Sequence, residues 1–118
     1  MNKELHNDAI QLLQQLIAIP SFSREEHGTA LLIQNHLQQK GVTPQRLMNN
    51  VWATNTHFNP KRPTLLLNSH HDTVKPNSGY TRGAFQPTIA DDRLYGLGSN
   101  DAGGCLVALM AAFLAFHD

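Results

Sequence analysis

The chain has 118 residues, 41% of them hydrophobic, which predicts a single packed domain and excludes a disordered segment. Lysine plus arginine number 9 and aspartate plus glutamate also number 9, so the chain has no net charge. It therefore lacks the positive charge that would indicate a nucleic-acid partner. One cysteine and an N-terminus without an apolar signal core lead us to expect a cytoplasmic protein. The longest apolar run is shorter than the about 20 residues of a membrane helix, so no membrane partner is expected.

Two amphipathic helices are predicted in the N-terminal third of the chain. Apolar residues recur at helical spacing over residues 5–17, and Pro20 ends this helix because proline disfavours a helical residue before it. Ser23 and Glu26 have the spacing of a capping box, in which the serine hydroxyl accepts a hydrogen bond from the Glu26 backbone N–H. A second helix follows and is predicted to end at Gly41.

Strands and a third helix are predicted in the rest of the chain. The predicted strands are residues 42–47, 51–56, 64–68 and 93–95. Tight turns are expected at Asn49-Asn50 and at Asp91-Asp92. The three leucines at 65–67 are typical of a strand buried on both faces of a sheet. Residues 103–116 predict a helix that is apolar almost all round. We therefore predict an α/β domain in which a mixed sheet is flanked by helices.

The first segment that can carry chemistry directly follows the predicted buried strand. His70 and Asp72 are two positions apart, so on an extended backbone their side chains lie on one face. An imidazole nitrogen can bind a metal ion while a carboxylate accepts from the other ring N–H and fixes the ring. His71 is the alternative ligand, because strand ends often bulge. A polar loop without a metal is the other alternative.

The second segment is rich in glycine and leads into the last helix. Gly96 and Gly98 are spaced as in a nucleotide-binding loop, but Asp101 stands where that motif needs its third glycine. A negative charge there would repel a pyrophosphate. A carboxylate in such a loop suits a divalent cation, and its two oxygens can bridge two ions. Asp101 can also cap the following helix, a compatible role. We expect Asp101 to converge with His70.

Taken in order, these motifs resemble one family of zinc metallopeptidases. His70-x-Asp72 after an apolar strand, then Leu-Tyr-Gly-x-Gly-x-x-Asp-x-Gly-Gly from residue 94, is similar to the family's motif pair. The family includes acetylornithine deacetylase, succinyl-diaminopimelate desuccinylase, aminoacylase and glutamate carboxypeptidase. The stretch Ile-Pro-Ser-Phe-Ser at 19–23, followed by Glu26, is similar to the family's N-terminal segment. Residues 68–76 look closest to acetylornithine deacetylase-like members.

The resemblance implies a role for each matching position. His70 would bind one zinc ion, and Asp101 would bridge two zinc ions, with cobalt as a possible substitute. Asp72 would be the catalytic residue that orients the His70 imidazole. A cis peptide bond is implied at Asp101–Ala102. Ser69 departs from the glycine that family members often have, at a position that is not a ligand.

The resemblance also implies what surrounds this chain. Residues 1–118 would be the N-terminal part of a zinc-exopeptidase-like catalytic domain, with the lid or dimerisation domain outside it. The general base and the remaining ligands would lie beyond Asp118, so we expect the 118-residue chain alone to be inactive. The full-length protein, expected to be a homodimer, would deacylate a small N-acyl amino acid, N-acetyl- or N-succinyl-ornithine in arginine biosynthesis. A dipeptidase or carboxypeptidase of the family and a non-catalytic interaction module are the alternatives.

Overall fold

The computed structural model describes residues 2–118, which form three helices and two β-hairpins. The helices are α1 (Lys3–Ala18), α2 (His27–Gln39) and α3 (Gly104–Ala115). The strands are β1 (Gln45–Leu47), β2 (Asn50–Trp52), β3 (Thr88–Ala90) and β4 (Arg93–Tyr95). This combination of helices and short strands agrees with the predicted α/β class.

All three predicted helices are confirmed. α1 begins after Asn2, whose side chain accepts a hydrogen bond from the Glu4 backbone N–H at 3.0 Å, and it ends before Pro20. α2 is followed by Gly41, which takes the left-handed φ of 79° that commonly ends a helix. α3 is the most apolar of the three and has 12 residues. Within residues 2–118, no helix is both long and apolar enough to span a bilayer.

The hydrophobic core lies between the helices and the first hairpin. α1 packs mainly against α3, and α2 packs against α1 and β2. The buried side chains of this core are Leu12, Leu16, Ile33, Leu37, Val42, Leu106, Val107 and Met110. Each fully buried side chain of this size stabilises the fold by about 1.5–3 kcal/mol. The core therefore gives the loops at its edge a rigid support.

The strands form two separate antiparallel hairpins where we predicted one mixed sheet. In the first hairpin Leu47 pairs with Asn50, so the turn lies at Met48-Asn49, one position earlier than predicted. In the second hairpin Ala90 pairs with Arg93 and the turn is Asp91-Asp92, as predicted. Both turn aspartates have left-handed φ angles, 51° and 58°, which match the twist of a two-residue hairpin.

The prediction of a buried strand at 64–68 is wrong. Leu65 and Leu66 are 83% and 81% exposed, and Leu67 is 40% exposed. A strand buried on both faces needs neighbouring strands and covering helices. No strand of residues 2–118 pairs with this segment, so no sheet buries its leucines.

Candidate metal centre

His70 and Asp101 meet although they are 31 positions apart in the chain. His70 Nε2 lies 3.1 Å from Asp101 Oδ1. His70 lies in the segment 63–72, which has no regular secondary structure, and Asp101 lies in the irregular turn Ser99–Gly103 that precedes α3. Their side chains are 52% and 87% exposed, so an ion or a substrate can reach both. The predicted convergence is confirmed, and the metal role of the pair stays a prediction.

Asp72 contacts the other nitrogen of the same imidazole. His70 Nδ1 lies 3.1 Å from Asp72 Oδ1 and 3.1 Å from the Asp72 backbone oxygen. Both of these oxygens can only accept a hydrogen bond, so Nδ1 carries a proton. The nitrogen that can lose its proton to receive a metal is therefore Nε2, which faces Asp101. The predicted contact between Asp72 and the ring is confirmed as geometry.

The N-terminal segment holds Asp72 in place. The Ser23 hydroxyl donates a hydrogen bond to Asp72 Oδ2 at 2.5 Å. Beside it, Phe22 forms a parallel bridge with Thr73, whose backbone N–H donates to the Ser21 carbonyl at 2.8 Å. Segment 21–23 therefore lies along segment 71–73 and fixes it to the end of α1.

The capping-box prediction for Ser23 is wrong, because the Ser23 hydroxyl donates to Asp72 and not to the start of α2. α2 begins at His27 with Glu26 as its N-cap residue, and the Ser23 hydroxyl turns to Asp72 instead. The Glu26 carboxylate accepts hydrogen bonds from the Arg24 backbone N–H and from the Asn49 side chain. Local spacing could not distinguish a cap from a contact 49 positions away. The available signal was the similarity of residues 19–26 to the family's N-terminal segment.

His71 is engaged on the other side of the loop. Its Nδ1 lies 2.8 Å from the Thr29 hydroxyl, and its Nε2 lies 2.9 Å from the Asn49 carbonyl oxygen. Thr29 belongs to α2 and Asn49 to the turn of the first hairpin. Neither His71 nitrogen contacts a carboxylate, whereas His70 Nε2 lies beside the Asp101 carboxylate, so the geometry favours His70 over His71 as the ligand.

Close packing of the backbone shapes the turn that carries Asp101. Gly98 has a φ of 76°, and a Cβ atom there would lie 2.5 Å from Thr73 Cγ2. The Gly103 backbone N–H donates to the Gly98 carbonyl at 2.8 Å. The Asp101–Ala102 peptide bond is cis, as the resemblance implies. Asp101 does not take the alternative role of a helix cap, because Gly103 is the N-cap residue of α3 and no side chain caps that helix.

The charges of the site reinforce one another. Burial by itself lowers the pKa of His70, but the Asp72 carbonyl, the Asp72 charge and the Asp101 carboxylate outweigh burial and raise it. The hydrogen bond from Ser23, followed by the charge of His70, holds the pKa of Asp72 below its usual value despite partial burial. A metal would compete with the proton on His70 Nε2, so binding would release that proton.

The donors present fit part of a zinc site. Zinc takes imidazole nitrogens and carboxylate oxygens, which are the groups that His70 and Asp101 supply. A catalytic zinc site usually has three protein ligands and a water. Among residues 2–118, no three His, Cys, Asp or Glu side chains converge closely enough to hold an ion. The chain therefore supplies two donors of the right chemistry, and a complete site needs further ligands.

Comparisons with known proteins agree with this geometry. Residues 66–118 match the family model of Peptidase family M20/M25/M40. The chain is 31% identical over 117 residues to succinyl-diaminopimelate desuccinylase of Delftia acidovorans. That similarity covers 91% of this chain and 30% of the relative, so the chain spans less than a third of the relative's length. The family match includes His70, Asp72 and Asp101.

Proposed function

Because the chain belongs to Peptidase family M20/M25/M40, we propose that the full-length protein hydrolyses the amide bond of an N-acyl amino acid. The arrangement around His70 carries the proposal, with Asp72 on Nδ1 and Asp101 3.1 Å from Nε2. The relative's name describes removal of a succinyl group from diaminopimelate, which is an N-acyl amino acid reaction. The relative's name therefore supports an amide bond of an N-acyl amino acid as the bond that this protein hydrolyses.

His70 Nε2 and the Asp101 carboxylate are the groups that would hold a metal, which we propose to be zinc. When bound, zinc polarises the acyl carbonyl and lowers the pKa of a water to about 7. Asp72 keeps the proton of the His70 ring on Nδ1, so that Nε2 is the donor. Asp101 Oδ1 faces His70, which leaves Oδ2 available to a second ion.

Within residues 2–118, no carboxylate beside His70 is free to act as the general base. Glu4 lies in α1, Glu25 is exposed ahead of α2, and the Glu26 carboxylate is occupied by Arg24 and Asn49. Asp72 is bound by Ser23 and His70 and serves to orient the ring. We propose that a residue outside these 118 takes the proton of the attacking water and passes it to the leaving amine.

The substrates to test follow from the motifs and from the relative. Similarity of residues 68–76 to acetylornithine deacetylase-like proteins favours N-acetylornithine and N-succinylornithine. The relative's name adds N-succinyl-diaminopimelate. With zinc added, the full-length gene product should hydrolyse at least one of these faster than it hydrolyses an unblocked dipeptide. A preference for the dipeptide would support the dipeptidase alternative, and no turnover at all would support a non-catalytic module.

Matched variants connect that assay to the site. His70→Ala and Asp101→Asn should abolish the hydrolysis, since each removes one of the two donors. His57→Ala is the control, because His57 is exposed in the 53–60 segment and contacts neither donor. If His70→Ala retains the activity of the parent protein, the site proposed here is wrong.

The proposal extends to the oligomeric state and the cellular location of the full-length protein. We propose that the full-length protein is a homodimer that acts on a small-molecule substrate in the cytoplasm, with a place in arginine biosynthesis. Light scattering on the purified full-length protein tests the oligomeric state. Growth of a deletion strain with and without arginine tests the pathway.

A further inference from the structure

We propose that His71 is a positioning residue, which holds the loop that carries His70 and Asp72 so that His70 Nε2 faces Asp101. The inference rests on the proposed function, because it concerns the histidine assigned to the metal. The His71 ring makes its hydrogen bonds to Thr29 and Asn49, and makes none to His70, Asp72 or Asp101. His71 acts through the main chain of the loop.

The ring of His71 joins two elements that are separate in sequence. The Asn49 carbonyl can only accept a hydrogen bond, so His71 Nε2 donates to it at 2.9 Å. In the neutral ring Nδ1 is then the acceptor, and the Thr29 hydroxyl donates to it at 2.8 Å. Thr29 is 1% exposed on α2, so this contact reaches into the packed body of the protein.

The main chain of residue 71 is held at the same time. The Ser21 hydroxyl donates to the His71 carbonyl at 2.9 Å, and the Thr73 backbone N–H donates to the Ser21 carbonyl at 2.8 Å. The loop is therefore fixed by its backbone on one side and by the His71 ring on the other. The His70 ring is left to contact Asp72 through Nδ1 and Asp101 through Nε2.

The partners of His71 are themselves tied together. The Asn49 side chain donates to Glu26 Oε2 at 2.9 Å, and Glu26 is the N-cap residue of α2, the helix that carries Thr29. α2, the hairpin turn and the site loop thus form a closed set of hydrogen bonds that passes through one imidazole. An apolar side chain at 71 would leave the part-buried Asn49 carbonyl without its donor.

The experiment compares His71→Ala, which removes both ring contacts, with His71→Gln, whose amide N–H can still donate to the Asn49 carbonyl. His57→Ala is the matched control at an exposed histidine. Zinc affinity is measured by competition with a chromophoric chelator, on the 118-residue chain and on the full-length protein. The ring ¹⁵N spectrum of His70 is recorded with and without zinc.

We expect His71→Ala to weaken zinc binding by about 10-fold, the lower end of the range for residues that orient a ligand. His71→Gln should recover most of that loss, and the zinc-dependent shift of His70 Nε2 should be smaller in His71→Ala than in the control. Equal zinc affinity and equal His70 spectra in His71→Ala and the control would overturn the proposal.

Two variants of Thr29, the α2 partner of His71, test the proposal if His71→Ala does not fold. Thr29→Val and Thr29→Ser then replace it, and only the valine, which lacks the hydroxyl, should weaken zinc binding. Equal affinity of those two variants would also count against the proposal.

If His70→Ala leaves zinc affinity unchanged, the proposed function fails, and the metal-free His70 spectrum decides the role of His71. A change in that spectrum in His71→Ala alone supports positioning, and no change overturns it.

Discussion

The Ser23 hydroxyl donates a hydrogen bond to Asp72 Oδ2 across 49 positions of sequence. Asp72 Oδ1 accepts from His70 Nδ1, so the orientation of the imidazole depends on a serine in the N-terminal third of the chain. The segment between α1 and α2 is therefore part of the candidate site. Each polar contact along this path can be removed separately, which makes the arrangement open to test.

Removing the Ser23 hydroxyl should loosen the Asp72 carboxylate. We expect Ser23→Ala to weaken zinc affinity by about 10-fold, because partners that orient a ligand typically contribute 10–100-fold. Ser23→Thr keeps a hydroxyl and should retain most of the affinity. Ser78→Ala, in an exposed loop, is the control and should bind zinc like the parent protein. Chelator competition measures all three, and equal affinities would show that Ser23 does not act through Asp72.

Removing the Asp72 carboxylate itself should have a larger effect. Asp72→Ala deprives His70 Nδ1 of its side-chain acceptor, and we expect zinc affinity to fall by about 10–100-fold. Asp92→Ala, at an exposed turn position in the second hairpin, is the matched control. In the full-length protein the hydrolysis rate should fall with the affinity. An unchanged affinity together with an unchanged rate would contradict the assigned role.

Gly98 offers a test of how closely the two site loops must approach. Gly98→Ala places a Cβ 2.5 Å from Thr73 Cγ2 and imposes a left-handed φ of 76°. Gly41→Ala is a matched control, because its φ is 79° but no atom lies within 4 Å of the added Cβ. The left-handed φ alone costs about 1–2 kcal/mol in both variants. Urea unfolding should show a larger loss of unfolding free energy for Gly98→Ala than for Gly41→Ala. Zinc affinity should fall in Gly98→Ala alone.

The imidazole of His36 should make stability depend on pH. Burial, and then the charge of Lys40, lowers the pKa of His36 below the usual 6.5. The unfolded chain therefore binds a proton at a pH where the native chain does not, so stability rises with pH across that window. Below the lowered native pKa this contribution to stability is lost. Urea unfolding at several pH values should show a shallower slope for His36→Gln than for the exposed-site control His6→Gln. Identical slopes would rule out His36 as the source of the pH dependence of stability.

The 118-residue chain alone should show no amidohydrolase activity. Among residues 2–118, the structure brings together two candidate metal donors, His70 and Asp101, and places no unengaged glutamate beside them. Loss of a general base alone costs about 10²–10⁴-fold in rate. The purified chain with zinc should be assayed on N-acetylornithine and N-succinylornithine beside the full-length protein. Turnover by the chain near that of the full-length protein would show that its catalytic residues had been misplaced.

Several features follow from spacing along the chain alone. Apolar residues at helical intervals predicted the first two helices, an apolar run predicted the third, and Asp91-Asp92 predicted the turn of the second hairpin. The two-residue spacing of His70 and Asp72 predicted their contact. These features depend on neighbours within a few residues, where the backbone geometry limits which side chains can meet.

Only the tertiary structure decided how the site is held. The capping-box spacing of Ser23 pointed to a helix cap, but packing of segment 21–23 along 71–73 turns its hydroxyl to Asp72. The spacing from Asp72 favoured His70 in sequence but left His71 as an alternative, and the hydrogen bonds of His71 to Thr29 and Asn49 leave His70 to face Asp101. The leucines at 65–67 have the composition of a buried strand and are exposed, because burial depends on which elements lie alongside. Contacts across tens of residues are set by the packing of whole elements, and no short pattern encodes them.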